Sequence, residues 1–156
     1  MTKLANMRPD RAPDFIIGTV ESPYMLRWWI LPRNDVFNVY YHRILRSDDD
    51  RALHDHPWPS FSVMISGQMR EITPEGARII SAGDCLYRGP DFAHRLELID
   101  GEPAETLFIT GPRVRDWGFH CPQGWVHWRD FVAVNPGEVG RGCGEHDAPA
   151  QIGGAL

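Results

Sequence analysis

The stretch LHDHPWPS, residues 53–60, decides how this chain is read. It sets two histidines two positions apart and then places Pro57 and Pro59 directly behind them. Neither proline has an amide proton to give a helix, and each drives the residue before it toward extended geometry. The stretch therefore reads as strand or strand edge. On an extended chain, residues i and i+2 share a face. His54 and His56 then aim two imidazoles at one point while Asp55 points away. Such a pair suits a metal ion if a third ligand arrives from elsewhere.

The surrounding sequence is a run of short strands. YMLRWWILPRN (24–34), FNVYYHRIL (37–45) and SFSVMISG (60–67) are rich in β-branched, aromatic or alternating residues. QMREI and ARIIS flank TPEG, a hairpin turn; DCLYR (84–88), HRLELI (94–99) and ETLFITG (105–111) follow between glycines and prolines. No stretch has a convincing helical period. The expected class is all-β, a barrel or sandwich, in one domain of 156 residues. Its expected parts are a loose arm at 1–14, a barrel over 24–111, a packed aromatic arm at 112–133 and a glycine-rich tail at 134–156. The tail is expected to be dispensable for stability.

Composition narrows the partners. Lys plus Arg number 16 against 21 Asp plus Glu, a net charge of −5, and no basic block exists. Nucleic acid and anionic membranes are poor candidates, and a small-molecule ligand is the better expectation. The longest apolar stretches, such as WWIL and LFIT, are too short to span a bilayer. The first residues, MTKLANMRPDRAPDF, lack the apolar core of a signal peptide, so a cytoplasmic location is expected. Three cysteines, Cys85, Cys121 and Cys143, imply no disulfide framework. Cys121, His127, Cys143 and His146 could instead supply a Cys2His2 zinc set. Their spacing matches no familiar zinc motif, and a surface arm with an incidental thiol is the preferred reading. Asp48, Asp49 and Asp50 read as a solvated loop.

The third histidine of the main site is His94, within SAGDCLYRGPDFAHRLEL (81–98). Here the sequence resembles the cupin superfamily of double-stranded β-helix (jelly-roll) barrels. Its first motif is a glycine, five residues, H-x-H, three or four residues, a glutamate, six residues and a glycine. His54 and His56 match H-x-H, and Gly67 matches the closing glycine. Ser60 stands where the glutamate would be, and Asp48 to Asp50 lie where the opening glycine would be. Gly83 and His94 match the second motif at full spacing. Pro90 sits one place late, Asp91 takes a glycine position and Leu98 replaces the closing asparagine. The HDHPW wording is also similar to a bacterial and phage cupin-like group. A (β/α)8 hydrolase, which can also open its site with H-x-H, needs a far longer chain. Helical HD-type phosphohydrolases conflict with Pro57 and Pro59.

The resemblance implies a metal site of His54, His56 and His94 for a divalent transition metal. Fe(II) is favoured, with Zn, Ni, Mn or Cu as alternatives. With Ser60 in place of the carboxylate, the ion would keep its full charge and prefer an anionic or thiol ligand. Thiol dioxygenases, also cupins, use three-histidine iron in this way. A dioxygenase-type enzyme is therefore expected. The alternatives are a non-catalytic binding or sensing module and a metal-free sugar-nucleotide epimerase; the latter needs a histidine base and a tyrosine acid facing one pocket, and nothing in the sequence links Tyr40, Tyr41 or Tyr87 to that role. No catalytic residue is identified. Ser60, Ser62 and His42 are candidate pocket residues; Ser60, Ser62 and Met64 share the parity of His56 if the strand runs unbroken past the prolines. His42 is otherwise an ordinary half-buried or surface histidine, and Trp58 either walls the pocket or is plain core. By analogy with cupins that pair through sheet edges, a homodimer is an open expectation.

Overall fold

The structure, a computed structural model, describes residues 8–48, 52–134 and 140–144. Among them the chain forms twelve strands and one turn of helix. The strands are β1 (Phe15–Gly18), β2 (Pro23–Trp29), β3 (Asn38–Ile44), β4 (Leu53–His54), β5 (Ser60–Ser66), β6 (Gln68–Thr73), β7 (Gly76–Ser81), β8 (Cys85–Arg88), β9 (Arg95–Leu98), β10 (Ala104–Thr110), β11 (Gly118–Cys121) and β12 (Gly124–His127). The helix is α1 (Trp128–Phe131). Three antiparallel sheets result, ordered β1-β2-β3-β10-β5-β8, β7-β6-β9 and β12-β11-β4. All eight strands expected from the sequence are present. β4 realises the extended reading of the histidine pair, whereas β1, which is short, and β11 and β12, which were read as irregular arm, were not expected.

Register decides what the barrel encloses. Arg27 pairs with His42, His42 with Thr106 and Thr106 with Met64. The next inward row runs Tyr40, Phe108, Ser62 and Leu86. A third joins Thr110, Ser60 and Arg88. Directly paired residues share a face, so these rows line the inside. The alternation is visible in burial: Ser60, Ser62 and Met64 are buried, whereas Phe61 between them is exposed. At one end the interior is apolar, filled by Met25, Ile44, Met64, Met69, Ile80, Leu98 and Ala104. At the other it is polar. Gly67, which ends β5, needs to be glycine: its φ is +79°, and a Cβ would lie 2.6 Å from the Pro103 carbonyl oxygen.

Several expectations need correction. The strand does not run unbroken from His54 to Ser60; β4 stops at His54, and the chain is irregular to Pro59 before β5 begins. The prolines remove two ladder donors, and their carbonyls serve loops instead, Val114 N donating to Pro57 O and Gly111 N to Pro59 O. The inward parity of Ser60, Ser62 and Met64 nevertheless holds. Residues 8–14 are not loose: Arg11 donates to Trp29 O, Trp28 Nε1 donates to Arg11 O, and Asp14 N donates to Arg27 O. Residues 1–7 of that arm lie outside the described residues. Asp48 is not solvated; its carboxylate accepts from Tyr24 Oη and, at 2.7 Å, from Leu96 N. Asp49 and Asp50 lie outside the described residues.

The arm is an ordered layer. Phe119, Cys121 and Phe131 form a small core with Trp117, Val126, Trp128 and Cys143 against it. Trp117 and Trp128 stack with planes 7° apart. Gly118 allows β11 to approach β12, since a Cβ there would sit 2.8 Å from the Trp125 ring. Cys121 and Cys143 are joined by a disulfide, their Cα atoms 5.5 Å apart. This overturns the reading of an incidental thiol, and it removes both thiolates from the Cys2His2 zinc set. His127 has another task, its side chain accepting from Arg129 N to cap α1. His146 lies outside the described residues. Part of the tail is therefore tied down: Gly142 N, one position before Cys143, donates to Phe131 O, and Gly144 N closes a turn onto Arg141 O. Residues 135–139 and 145–156 lie outside the described residues. No helix among those described is long and apolar enough to cross a membrane.

Asp55 holds this layer to the barrel. It is wholly buried, and its carboxylate accepts from Arg115 Nη1 (2.8 Å), Gly118 N (2.8 Å), Trp125 Nε1 (3.0 Å) and His120 Nε2 (3.1 Å). Replacing it by Ala would strand these donors and leave Arg115 without its counter-ion. Asp55→Ala should cost about 3 kcal/mol, the low end for a broken buried pair because Arg115 and His120 reach solvent. That corresponds to a melting temperature lower by roughly 6–12 °C in calorimetry; an unchanged transition would mean the arm is held otherwise. Reduction of the Cys121–Cys143 bond should separately destabilise the arm, by up to about 3 kcal/mol. Thermal melts with and without reductant, with Cys121→Ser as control, measure it.

Candidate metal centre

His54 and His94 face one another as an antiparallel bridge, each amide donating to the other's carbonyl at 2.9 Å. β4 thus joins the loop that precedes β9 on one side and β11 on the other. His56 is fixed two residues on, its amide donating to Pro90 O at 3.2 Å. The three rings form a near-equilateral triangle: centroid separations are 5.1 Å (His54–His56), 5.0 Å (His54–His94) and 5.2 Å (His56–His94). One ligand nitrogen from each lies within 4.8 Å of the others. The extended reading of residues 53–56 therefore converges as expected, and His94 joins the pair through backbone pairing.

The proton positions suit a cation. His94 Nδ1 is 2.7 Å from Glu71 Oε1, so it carries the proton and donates it to the carboxylate. His94 Nε2 is then a bare acceptor, and it lies 3.0 Å from His56 Nε2. Without an ion this contact needs a proton on His56 Nε2; with one, both lone pairs point at the metal. Burial holds the pKa of His56 well below the ordinary value, helped by the neighbouring histidines. Burial also lowers His54 to about 4, against the raising effect of Asp48, whose Oδ2 is 3.9 Å from His54 Nδ1. Neutral imidazoles are the ligand form for a divalent metal. The donor set fits such an ion.

Glu71 was not identified from the sequence. It is wholly buried on β6 and accepts from His94, from Arg88 Nε (2.6 Å) and from Arg78 Nε (2.7 Å). Burial alone would raise its pKa, but the bonds from His94 and Arg88 outweigh that and hold it at about 2. The carboxylate is ionised and sits behind a ligand. This amends the expectation drawn from Ser60: among the described residues no carboxylate takes the fourth ligand position, yet anions stand beside two of the three histidines. The alternation in QMREI could have flagged Glu71 as inward, because Met69 and Glu71 share parity and Met69 is core. Nothing in the sequence says which histidine it meets.

The pocket candidates divide. Ser62 is buried and accepts from Arg88 Nη1 at 2.8 Å. Ser60 is buried with no partner for its Oγ, and Trp58 Nε1 is likewise buried without one. Trp58 stacks beside His56, with planes 18° apart, and so walls the centre. His42 is neither half-buried nor on the surface: it is 4% exposed and on the inner face, as its pocket reading requires. Of the tyrosines, Tyr41 donates to Glu105 on the outer face and Tyr87 is exposed, so neither faces the histidines.

No protein-family model matches the sequence, and no curated protein does. Solved structures match by fold. An uncharacterized conserved protein with a double-stranded β-helix domain from Klebsiella pneumoniae aligns at TM-score 0.50 and 18% identity, over 72% of this chain and 88% of that one. A sugar phosphate isomerase from a cupin superfamily, from Silicibacter pomeroyi, aligns at 0.52 and 18%, over 71% and 84%. FeII HppE aligns at 0.54 and 14%, over 66% and 58%. With its sheets, its inward histidine triangle and these neighbours, the chain has the fold of the cupin superfamily, a double-stranded β-helix.

Proposed function

We propose that the protein is a metal-dependent enzyme of dioxygenase type, holding Fe(II) at His54, His56 and His94 and acting on a small anionic or thiol ligand. The observation that carries this reading is the triangle of three converging imidazoles, with an unpartnered Ser60 Oγ, instead of a carboxylate, on the barrel wall. Bound Fe(II) would supply one-electron chemistry toward dioxygen. The chain's residues do the rest. Glu71 and Asp48 orient His94 and His54, while Trp58 and Phe92 flank His56 and His94 and keep water from their faces. Arg88 balances Glu71, so the anion behind His94 does not cancel the charge offered to a ligand. A small-molecule partner, cytoplasmic location and homodimeric state belong to the same reading.

Metal analysis of protein purified without a histidine tag, followed by oxygen uptake over a panel of thiols and diketones, tests it. Stoichiometric metal with uptake on one class supports the enzyme. Metal without uptake turns the reading to a binding or sensing module, and no metal rejects it. His94→Ala should abolish metal binding without unfolding the barrel. Glu71→Gln should weaken metal binding about 10–100-fold, because the His94 proton loses its anionic acceptor. Calorimetric titration with Fe(II) or Mn(II) reads both.

Ser60→Glu should bring a fourth protein ligand. Mn(II) affinity should rise, since carboxylate oxygen suits that ion, and azide affinity of the loaded protein should fall as charge is neutralised and a position filled. Unchanged constants for both would place Ser60 away from the ion.

A further inference from the structure

The arm and the metal centre share a strand. β4 supplies His54, and its outer neighbour is β11, which pairs Phe119 with His54 and His120 with Leu53. Asp55 N donates to Gly118 O at 3.0 Å, and Asp55 Oδ1 accepts from Gly118 N. The Phe119 ring lies 6.0 Å from the His54 ring and stacks on Phe131, with 3.6 Å between centroids. Ala52, two positions before His54, packs on the same small core as Cys143. His54 and His56 therefore flank a residue that the arm grips, and His54 is also paired and packed by it.

That layer has little stability of its own. Its core has three buried residues, Phe119, Cys121 and Phe131, and β11 and β12 have four residues each. A hairpin of that size is marginal without a further tie. The disulfide is such a tie. It joins Cys121, on β11 itself, to Cys143, whose neighbour Gly142 donates to Phe131 O. It spans a separation of 22 residues and so encloses β12 and α1 in one closed loop. Cys121 is 8% exposed and Cys143 is half-buried, so Cys143 is the more accessible partner.

We infer that Cys121–Cys143 is a redox-modifiable site, opened by small thiols, that sets the metal affinity of the histidine triangle. Its effect on the ion rests on the metal reading above; its effect on β4 stands on the fold alone. A small thiol attacks as thiolate at Cys143 Sγ, the bond between the sulfurs breaks, and Cys121 leaves with the electron pair. A second thiol then displaces Cys143 from the mixed disulfide. Two small thiols become one disulfide, and the protein pair gains two electrons and two protons. With the tie open, β11 loosens from β4, and His54 and His56 lose the support behind them. The ligand positions spread, and the ion is held less tightly. Such coupling is reciprocal: a bound ion makes the disulfide harder to reduce by the same factor.

The test uses the full chain with Cys85→Ser, which removes the exposed thiol and leaves one sulfur pair. Mn(II) is the probe, since thiols bind it poorly. In calorimetric titration, protein in reduced glutathione should bind Mn(II) about tenfold more weakly than protein in glutathione disulfide. A double variant, Cys121→Ser with Cys143→Ser, should show the weaker value in both buffers. Saturating Mn(II) should lower the midpoint potential of the pair, read by alkylation across glutathione ratios, by the same factor, about 30 mV. Equal Mn(II) affinity in the two redox states overturns the inference, a comparison that needs no variant of the pair itself. A pair that glutathione does not reduce overturns it as well. Should His94→Ala bind Mn(II) like wild type, the metal reading fails instead. Hydrogen exchange of the metal-free protein then decides: the amides of His54 and Asp55, bonded to His94 O and Gly118 O, must exchange faster once the pair is reduced. Unchanged protection at these two amides overturns the coupling.

Discussion

The two-residue alternation of an extended backbone at residues 54–56 is the constraint on which the site and its cover both depend. His54 and His56 turn inward to the triangle, and Asp55 between them turns to the arm. Because alternate side chains on an extended chain must take opposite faces, three consecutive residues connect the metal centre to the layer outside it. Phe119, in the strand that Asp55 grips through Gly118, lies 6.0 Å from His54. The arm thus backs the histidines as well as closing the barrel.

Charge inside the barrel is organised in the same economical way. The apolar end needs no partners and is filled by methionine, isoleucine and leucine. The polar end holds Glu71, Arg88 and Arg27 among the histidines. Glu71 is stabilised because three donors converge on it, and its cost of burial is offset by bonds that would be far weaker in water. It also chooses the tautomer of His94. The Ser62–Arg88–Glu71–His94 chain therefore runs from one sheet to the other, behind the histidine it orients. Arg27 is held instead by His42 Nε2, to which its Nε donates, and by the face of the Tyr40 ring.

The departures from the cupin motifs have physical counterparts. Asp48, where the first motif opens with glycine, bonds to Leu96 N and stands beside His54. Ser60, where that motif has its glutamate, leaves a buried hydroxyl without a partner. Gly67 is kept because backbone approaches it too closely for any side chain. The disulfide between Cys121 and Cys143 fastens the end of the arm. The histidine triangle itself carries no sulfur.

Local rules made much of this legible in the sequence. Proline behind H-x-H forbade helix and pointed two imidazoles one way; alternation in SFSVMISG named Ser60, Ser62 and Met64 as inward; motif spacing brought in His94. These follow from backbone geometry within a few residues, which the sequence by itself determines. What crosses between strands did not follow. Glu71 meets His94 only because β6 and β9 are neighbours, Arg27 meets His42 only because β2 and β3 pair in one register, and Cys121 meets Cys143 only because residues 140–144 lie against α1, where Gly142 N donates to Phe131 O. Each of those contacts joins residues that many alternative registers would separate, and a one-residue slip would turn every side chain of a strand to the other face. Register is settled by the whole buried interior at once, so the tertiary structure alone decided which charge meets which histidine.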